Sequence, residues 1–209
     1  YFIPNVDGSV DKGKRVFNWA AYIPVDENDL DRILTGKDGR TFDGSVPPGQ
    51  ISQGVQRELK EILAAQIPQK YADVVQATDN SYIQVIYTLD LDSYFKNKMC
   101  LIGDAGIVVQ PFTGSGVFKG YNNVKELLSS IHANNTLEEA LSQWSDKQIK
   151  TGRRLLALGE QMEKAFIWDQ PDFAEIDDTY AYKELQAMEA LDFCRPGEAG
   201  ELTTAGFTK

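Results

Sequence analysis

Asp104 stands where a short apolar run ends, in Cys100-Leu101-Ile102-Gly103-Asp104-Ala105-Gly106. A second apolar run follows at 107–109, and Pro111-Phe112-Thr113-Gly114-Ser115-Gly116 then opens a segment patterned as a helix. A carboxylate at a strand end accepts hydrogen bonds from a ligand hydroxyl. The glycines let backbone N–H groups approach a ligand closely. The helix start behind them offers unpaired donors and a partial positive charge. Together these features suit a cofactor with a polyol chain and an electron-rich ring edge.

Other chemistries find less support. The one histidine, His132, falls near the end of the helix after the glycines, and nothing marks a nucleophile to pair with it. A surface or helix-end role fits it better. Cys100 and Cys194 form no metal-ligand or redox spacing, so no metal site is expected. Cys100, in its apolar run, is expected to be a buried thiol, and a reducing, cytoplasmic setting fits. Carboxylates are plentiful, but none lies in an apolar stretch that would raise its pKa.

The elements that must position the motif are legible in part. Residues 1–4 and 14–25 read as strands around an Asp7-Gly8 turn, with Phe17, Trp19, Ala21 and Ile23 on one face and Asn18, Ala20 and Tyr22 on the other. Asp26 or Asn28 is expected to cap a short helix through Leu34. Val55, Leu59, Ile62, Leu63 and Ile67 recur at helical spacing over 52–66, and Pro68 ends that helix. A short helix over 71–77 and a strand over 82–87 follow. After the glycines, 117–132 reads as a helix. Thr136 and Glu139 form a capping box, and an apolar stripe from Leu137 to Phe166 runs through two helices or one broken helix. One further helix is expected over 178–191.

The 209 residues, 42% of them hydrophobic, suffice for one large domain or two small ones. No apolar run approaches a membrane span. A formal net charge of −10 argues against nucleic acid as the main partner, since phosphate backbones want a basic face. It does not exclude a small anionic cofactor held by local helix-start donors.

The string Gly103-Asp104-Ala105, with Pro111, Gly114 and Gly116 at their spacing, resembles the second flavin-binding motif of the FAD-dependent aromatic hydroxylases, the class A flavoprotein monooxygenases. One position departs: Gly106 stands where the family carries a second alanine. The segments Gly13-Lys14-Arg15-Val16-Phe17-Asn18-Trp19, Leu34-Thr35 with Asp38-Gly39, and Val46-Pro47-Pro48-Gly49 look like the dihydroxypyridine-hydroxylase branch. Ala140-Leu141, Trp144, Gly152 and Arg153 look like the family's C-terminal helical segment. The family usually carries an acidic residue where Asn123 stands here, which puts that carboxylate's role in doubt.

The resemblance implies an α+β fold: a mixed β-sheet substrate domain with flanking and C-terminal helices. It implies that Asp104 binds the ribityl chain of FAD, with Gly103, Pro111, Thr113, Gly114, Ser115 and Gly116 completing the cofactor site. It implies hydroxylation of a small aromatic or N-heteroaromatic ring by O₂, with NADH or NADPH as co-substrate, through a flavin C4a-hydroperoxide. The flavin carries the chemistry, so no catalytic side chain is assigned. Trp19, Tyr22, Gln84 and Phe112 are candidate substrate-pocket residues, though ordinary packing explains each equally well. The implied division is a substrate-binding sheet domain at 1–98, the second FAD motif and its helix at 99–132, C-terminal helices at 133–167 and a polar tail at 168–209. The N-terminal Rossmann fingerprint is not in this sequence, so the chain is expected to be the C-terminal part of a longer flavoprotein. A homodimer is compatible with the resemblance, and neither nucleic acid nor a membrane is expected as partner. Two other readings stay open: a flavin oxidoreductase of this fold that does not hydroxylate, and a flavin-free binding or scaffold module.

Overall fold

The computed structural model describes residues 1–169. The chain forms two compact units that divide between Val85 and Ile86. The sequence reading placed its first boundary later, after residue 98.

In the first unit, β1 (Phe2–Ile3) pairs antiparallel with β2 (Val16–Phe17), and the rings of Phe2 and Phe17 meet edge to face at 5.0 Å. Between them Gly8 takes φ +79° in the turn where Asp7 accepts a hydrogen bond from the Ser9 N–H. Asp26 caps a 3-10 turn (Glu27–Asp29) that leads into α1 (Leu30–Ile33). β3 (Ser45–Val46) pairs antiparallel with β4 (Ile83–Gln84). Ser52 caps α2 (Gln53–Gln66), and Pro68 starts α3 (Gln69–Gln76). Ile33, Leu34, Val46, Ile51 and Val55 form the core of this unit, with Leu59, Ile83 and Val85 packed against it. At its surface, Arg32 holds Glu58 through two hydrogen bonds of 2.7 and 3.0 Å.

The second unit begins with β5 (Leu89–Asp90), β6 (Phe95–Lys96), β7 (Met99–Cys100) and β8 (Ile107–Val108). β5 pairs with β8 and β6 with β7, both antiparallel. Asn97 takes φ +56° in the β6–β7 turn, a conformation that asparagine tolerates better than most residues. Two helices follow, α4 (Gly116–Ala133) and α5 (Leu137–Glu163), and they pack on each other. Thr136 caps α5 by accepting from the Glu139 N–H. The apolar stripe runs through this single 27-residue helix, which passes into a π-helical turn (Lys164–Trp168). Tyr94, Ile107, Val109, Leu141, Trp144, Ile149 and Leu155 make the core, and Cys100 packs against it half-buried rather than fully buried. No helix among the described residues is long and apolar enough to cross a membrane. The helix expected over 178–191, Cys194 and the tail beyond 169 lie outside the described residues.

Helices and strands are both present, as an α+β fold requires, but the expected mixed sheet is not. The described strands form four separate antiparallel pairs of two residues each. The run expected over 14–25 shows the reason. β2 ends at Phe17, Asn18 still exchanges backbone hydrogen bonds with Tyr1, and beyond it residues 19–25 have no strand alongside among the described residues. Apolar alternation favours extended backbone, but a ladder also needs a partner.

Tyr94 is fully buried against Trp144, and its N–H bonds the Ser145 hydroxyl at 2.9 Å. Its own hydroxyl has no hydrogen-bond partner among the described residues. Burial first, and the nearby Asp90 carboxylate second, push its pKa up to about 12. The folded state therefore keeps Tyr94 neutral where an unfolded chain ionises it, near pH 10. Stability is expected to hold below pH 10 and to fall as pH rises toward 12. Tyr94→Phe should abolish that part of the fall in chemical denaturation from pH 8 to 12. On α5, a Cβ at Gly152 would lie 2.6 Å from Ile107 Cδ1 and 2.7 Å from the Tyr94 hydroxyl oxygen. Gly152→Ala should destabilise the protein by about 1–3 kcal/mol, the usual penalty of overpacking. Tyr94→Phe should relieve part of that loss in the double variant.

Candidate functional site

The Gly-Asp turn is built by residues that hold it from behind. Gly103 opens a 3-10 turn (Gly103–Ala105) with φ +60°, a conformation suited to glycine. Its N–H donates to Asn123 Oδ1 on α4 at 2.7 Å. Asn123 is buried, its amide donates to Gln148 Oε1 on α5 at 2.7 Å, and its carbonyl accepts from the Trp144 indole N–H at 2.9 Å. Asp104 points outward with its side chain 76% exposed, and its Oδ1 accepts from Lys119 Nζ at 2.6 Å. The Lys119 side chain is only 3% exposed and also donates to the Ile107 carbonyl.

The second half of the motif is a 3-10 turn (Pro111–Thr113) closed by Gly114 in the left-handed region, φ +64°. The Thr113 hydroxyl donates to the Gln110 carbonyl at 2.9 Å and shares a 2.8 Å hydrogen bond with the Ser115 hydroxyl. Ser115 occupies the N-cap position of α4, yet it makes no side-chain cap bond. Among the described residues no side chain accepts from the first-turn N–H groups of this 18-residue helix, and no acidic residue sits in that turn. A Cβ at Gly114 or Gly116 would meet nothing within 4 Å, so the backbone there faces open space. Beneath the loop, Gln110 is buried against Gly159 of α5 and donates to Glu163 Oε2 at 3.0 Å.

The other sequence-derived candidates fall in different places. Trp19 and Tyr22 line a cavity of about 510 Å³ in the first unit, with Phe17, Tyr71 and Leu63. Trp19 and Gln84 line a second cavity there, of about 150 Å³. Trp19 is common to both, while Tyr22 and Gln84 do not share one. The Trp19 indole N–H donates to the Thr78 hydroxyl at 3.0 Å, which fixes the ring. Gln84 accepts from the Ser45 hydroxyl at 2.9 Å. Phe112 belongs to the second unit, half-buried in the 111–113 turn. His132 is exposed in the last turn of α4.

Reading the sequence did not single out Lys119 or Gln148. The sequence shows that Lys119 and Asn123 are four apart on α4 and share a face, but only the fold shows that both are buried. Nothing comparable in the sequence marks Gln148.

Residues 1–88 match the family model described as FAD binding domain-like. No curated protein matches in sequence. Among solved structures, 2,6-dihydroxypyridine-3-hydroxylase from Arthrobacter nicotinovorans is similar with a TM-score of 0.60 at 21% identity, over 71% of this chain and 39% of that one. The tetracycline destructase Tet(55) gives a TM-score of 0.49 at 16% identity, over 69% of this chain and 38% of that one. PqsL, a probable FAD-dependent monooxygenase from Pseudomonas aeruginosa, gives 0.42 at 17% identity, over 65% and 35%. The chain shares the fold of part of a flavoprotein hydroxylase, and the resemblance to the FAD-dependent aromatic hydroxylases is thereby borne out. It spans only 39% of the length of the dihydroxypyridine hydroxylase it matches.

The residues at the loop fit a flavin. Two glycines leave a flat, open approach to the backbone, helix-start donors are uncapped, and an exposed carboxylate stands on the neighbouring turn. The buried bonds to Asn123 should matter for stability. Asn123→Leu leaves the Gly103 N–H without its acceptor and is expected to lower stability by about 1–3 kcal/mol, read by urea denaturation.

Proposed function

We propose that this chain is the substrate domain and second flavin motif of an FAD-dependent monooxygenase that hydroxylates a small aromatic or N-heteroaromatic ring, using NADH or NADPH and O₂. The observation that carries the reading is the pairing of an uncapped, glycine-opened helix start with an outward carboxylate on the adjacent turn. Bound FAD would supply the electron transfer and oxygen activation. Asp104 would accept a hydrogen bond from a ribityl hydroxyl. The N–H groups at the start of α4 would stabilise negative charge on the ring edge they face. The aromatic and apolar walls around Trp19 and Tyr22 suit a flat ring and the exclusion of water.

A dinucleotide-binding segment outside this sequence would hold the ADP half of the cofactor. The outer face of α4 supports that part of the reading. Val117, Tyr121, Val124, Leu128 and Ile131 recur along it at helical spacing, all exposed, and suit a covering partner. A homodimer is the other partner proposed.

The test is made on the protein that contains this chain, supplied with FAD, NADH or NADPH and a panel of phenols and pyridinols. Oxygenated product, identified by mass spectrometry, is the expected result. Oxidation of the nicotinamide without product would replace hydroxylation by a different flavin reaction. Failure to bind FAD at all would leave a flavin-free module. Asp104→Ala is expected to weaken FAD binding roughly 10- to 100-fold, the loss of a hydrogen bond to a charged group, in a fluorescence titration.

A further inference from the structure

The Asp104–Lys119 pair is asymmetric. The lysine side chain is 3% exposed and the aspartate side chain 76%. A buried ammonium demands partners, because leaving it uncompensated is strongly unfavourable. Lys119 has two, Asp104 Oδ1 and the Ile107 carbonyl. The Ile107 carbonyl anchors it from the start of β8, just past the turn, so the ammonium is held between two fixed oxygens. An exposed aspartate with no such partner would rotate freely in water. Here one oxygen is taken by Lys119, and Oδ2 has no protein hydrogen bond among the described residues. The charge also matters. The chain carries a formal −10, and a lone carboxylate beside a phosphate-bearing ligand would repel it. A buried lysine at 2.6 Å offsets that charge without competing for the outward oxygen.

We infer that Lys119 is a positioning residue for the cofactor. It locks Asp104 so that Oδ2 faces a ligand hydroxyl, and it neutralises the pair. This rests on the flavin reading above, and the test separates the two. The probes are riboflavin and lumiflavin, which share the ring system and differ in the polyol chain that Asp104 would recognise. Affinities are measured by fluorescence titration of the protein that contains this chain, with Lys119→Met and Lys119→Gln as variants. Folding of each is checked by circular dichroism.

Wild-type protein should prefer riboflavin. Lys119→Met should cut that preference about tenfold while leaving lumiflavin binding within two- to threefold. Lys119→Gln, whose amide can still donate to the carboxylate, should keep part of the preference. If Lys119→Met fails to fold, the Lys119→Gln comparison decides, with an intermediate preference expected. An unchanged preference in a folded variant overturns the positioning role, as does parallel loss of both ligands. Equal binding of the two flavins by wild-type protein would overturn the role of Asp104 and with it that of Lys119. Binding of neither would overturn the flavin reading itself.

Discussion

The Gly-Asp turn depends on polar side chains that α4 sends back into the protein. Asn123 accepts from the Gly103 N–H, and Lys119 reaches both Asp104 and the Ile107 carbonyl. Buried groups of this kind are stable only when satisfied. Satisfying them leaves one arrangement of the turn relative to the helix start. The turn and the start of α4, 12 residues apart between Asp104 and Gly116, are thereby held as one surface. Gln148 and Trp144 bring α5 into the same network.

The second constraint is the shape of α5. Gly152 and Gly159 leave notches in its inner face. Tyr94 and Ile107 fill the first, and Gln110 presses into the second. A methyl group in either notch would collide with its occupant. Gln110 directly precedes the 111–113 turn, so the second notch anchors that turn on α5. The first unit uses a simpler device: an aliphatic core under α1 and α2, with the Trp19 ring tied to Thr78. Trp19 lines both the cavity of about 510 Å³ and that of about 150 Å³, whereas Tyr22 and Gln84 each line one.

Much of the local structure was legible. The caps at Asp26 and Thr136 and the helices after them follow from side-chain oxygens placed before apolar-periodic runs, while Ser52, read only as the first residue of its helix, proves to cap it. The glycine loop and the helix behind it stand where their spacing puts them. Tertiary context overrode the sequence in two kinds of place. The runs at 14–25 and 82–87 have strand character, but only two residues of each find a ladder. Cys100 and its apolar neighbours suggested a buried strand, yet Met99, Leu101 and Ile102 are exposed. Alternation reports which face is apolar and is silent on what lies across from it.

The sequence by itself determined the motif: a carboxylate after a strand, glycines at a fixed spacing behind it, and a helix start just beyond them. Those depend on residue type and on positions within a few residues of one another. Only the tertiary structure decided that Lys119 and Asn123 serve that motif and that Gln148 supports it. It also decided that Ser115 binds Thr113 instead of capping α4. The physical reason is that a polar side chain's role is set by the partner it is buried against. That partner here comes from another element of the fold, at a sequence distance that no local pattern encodes.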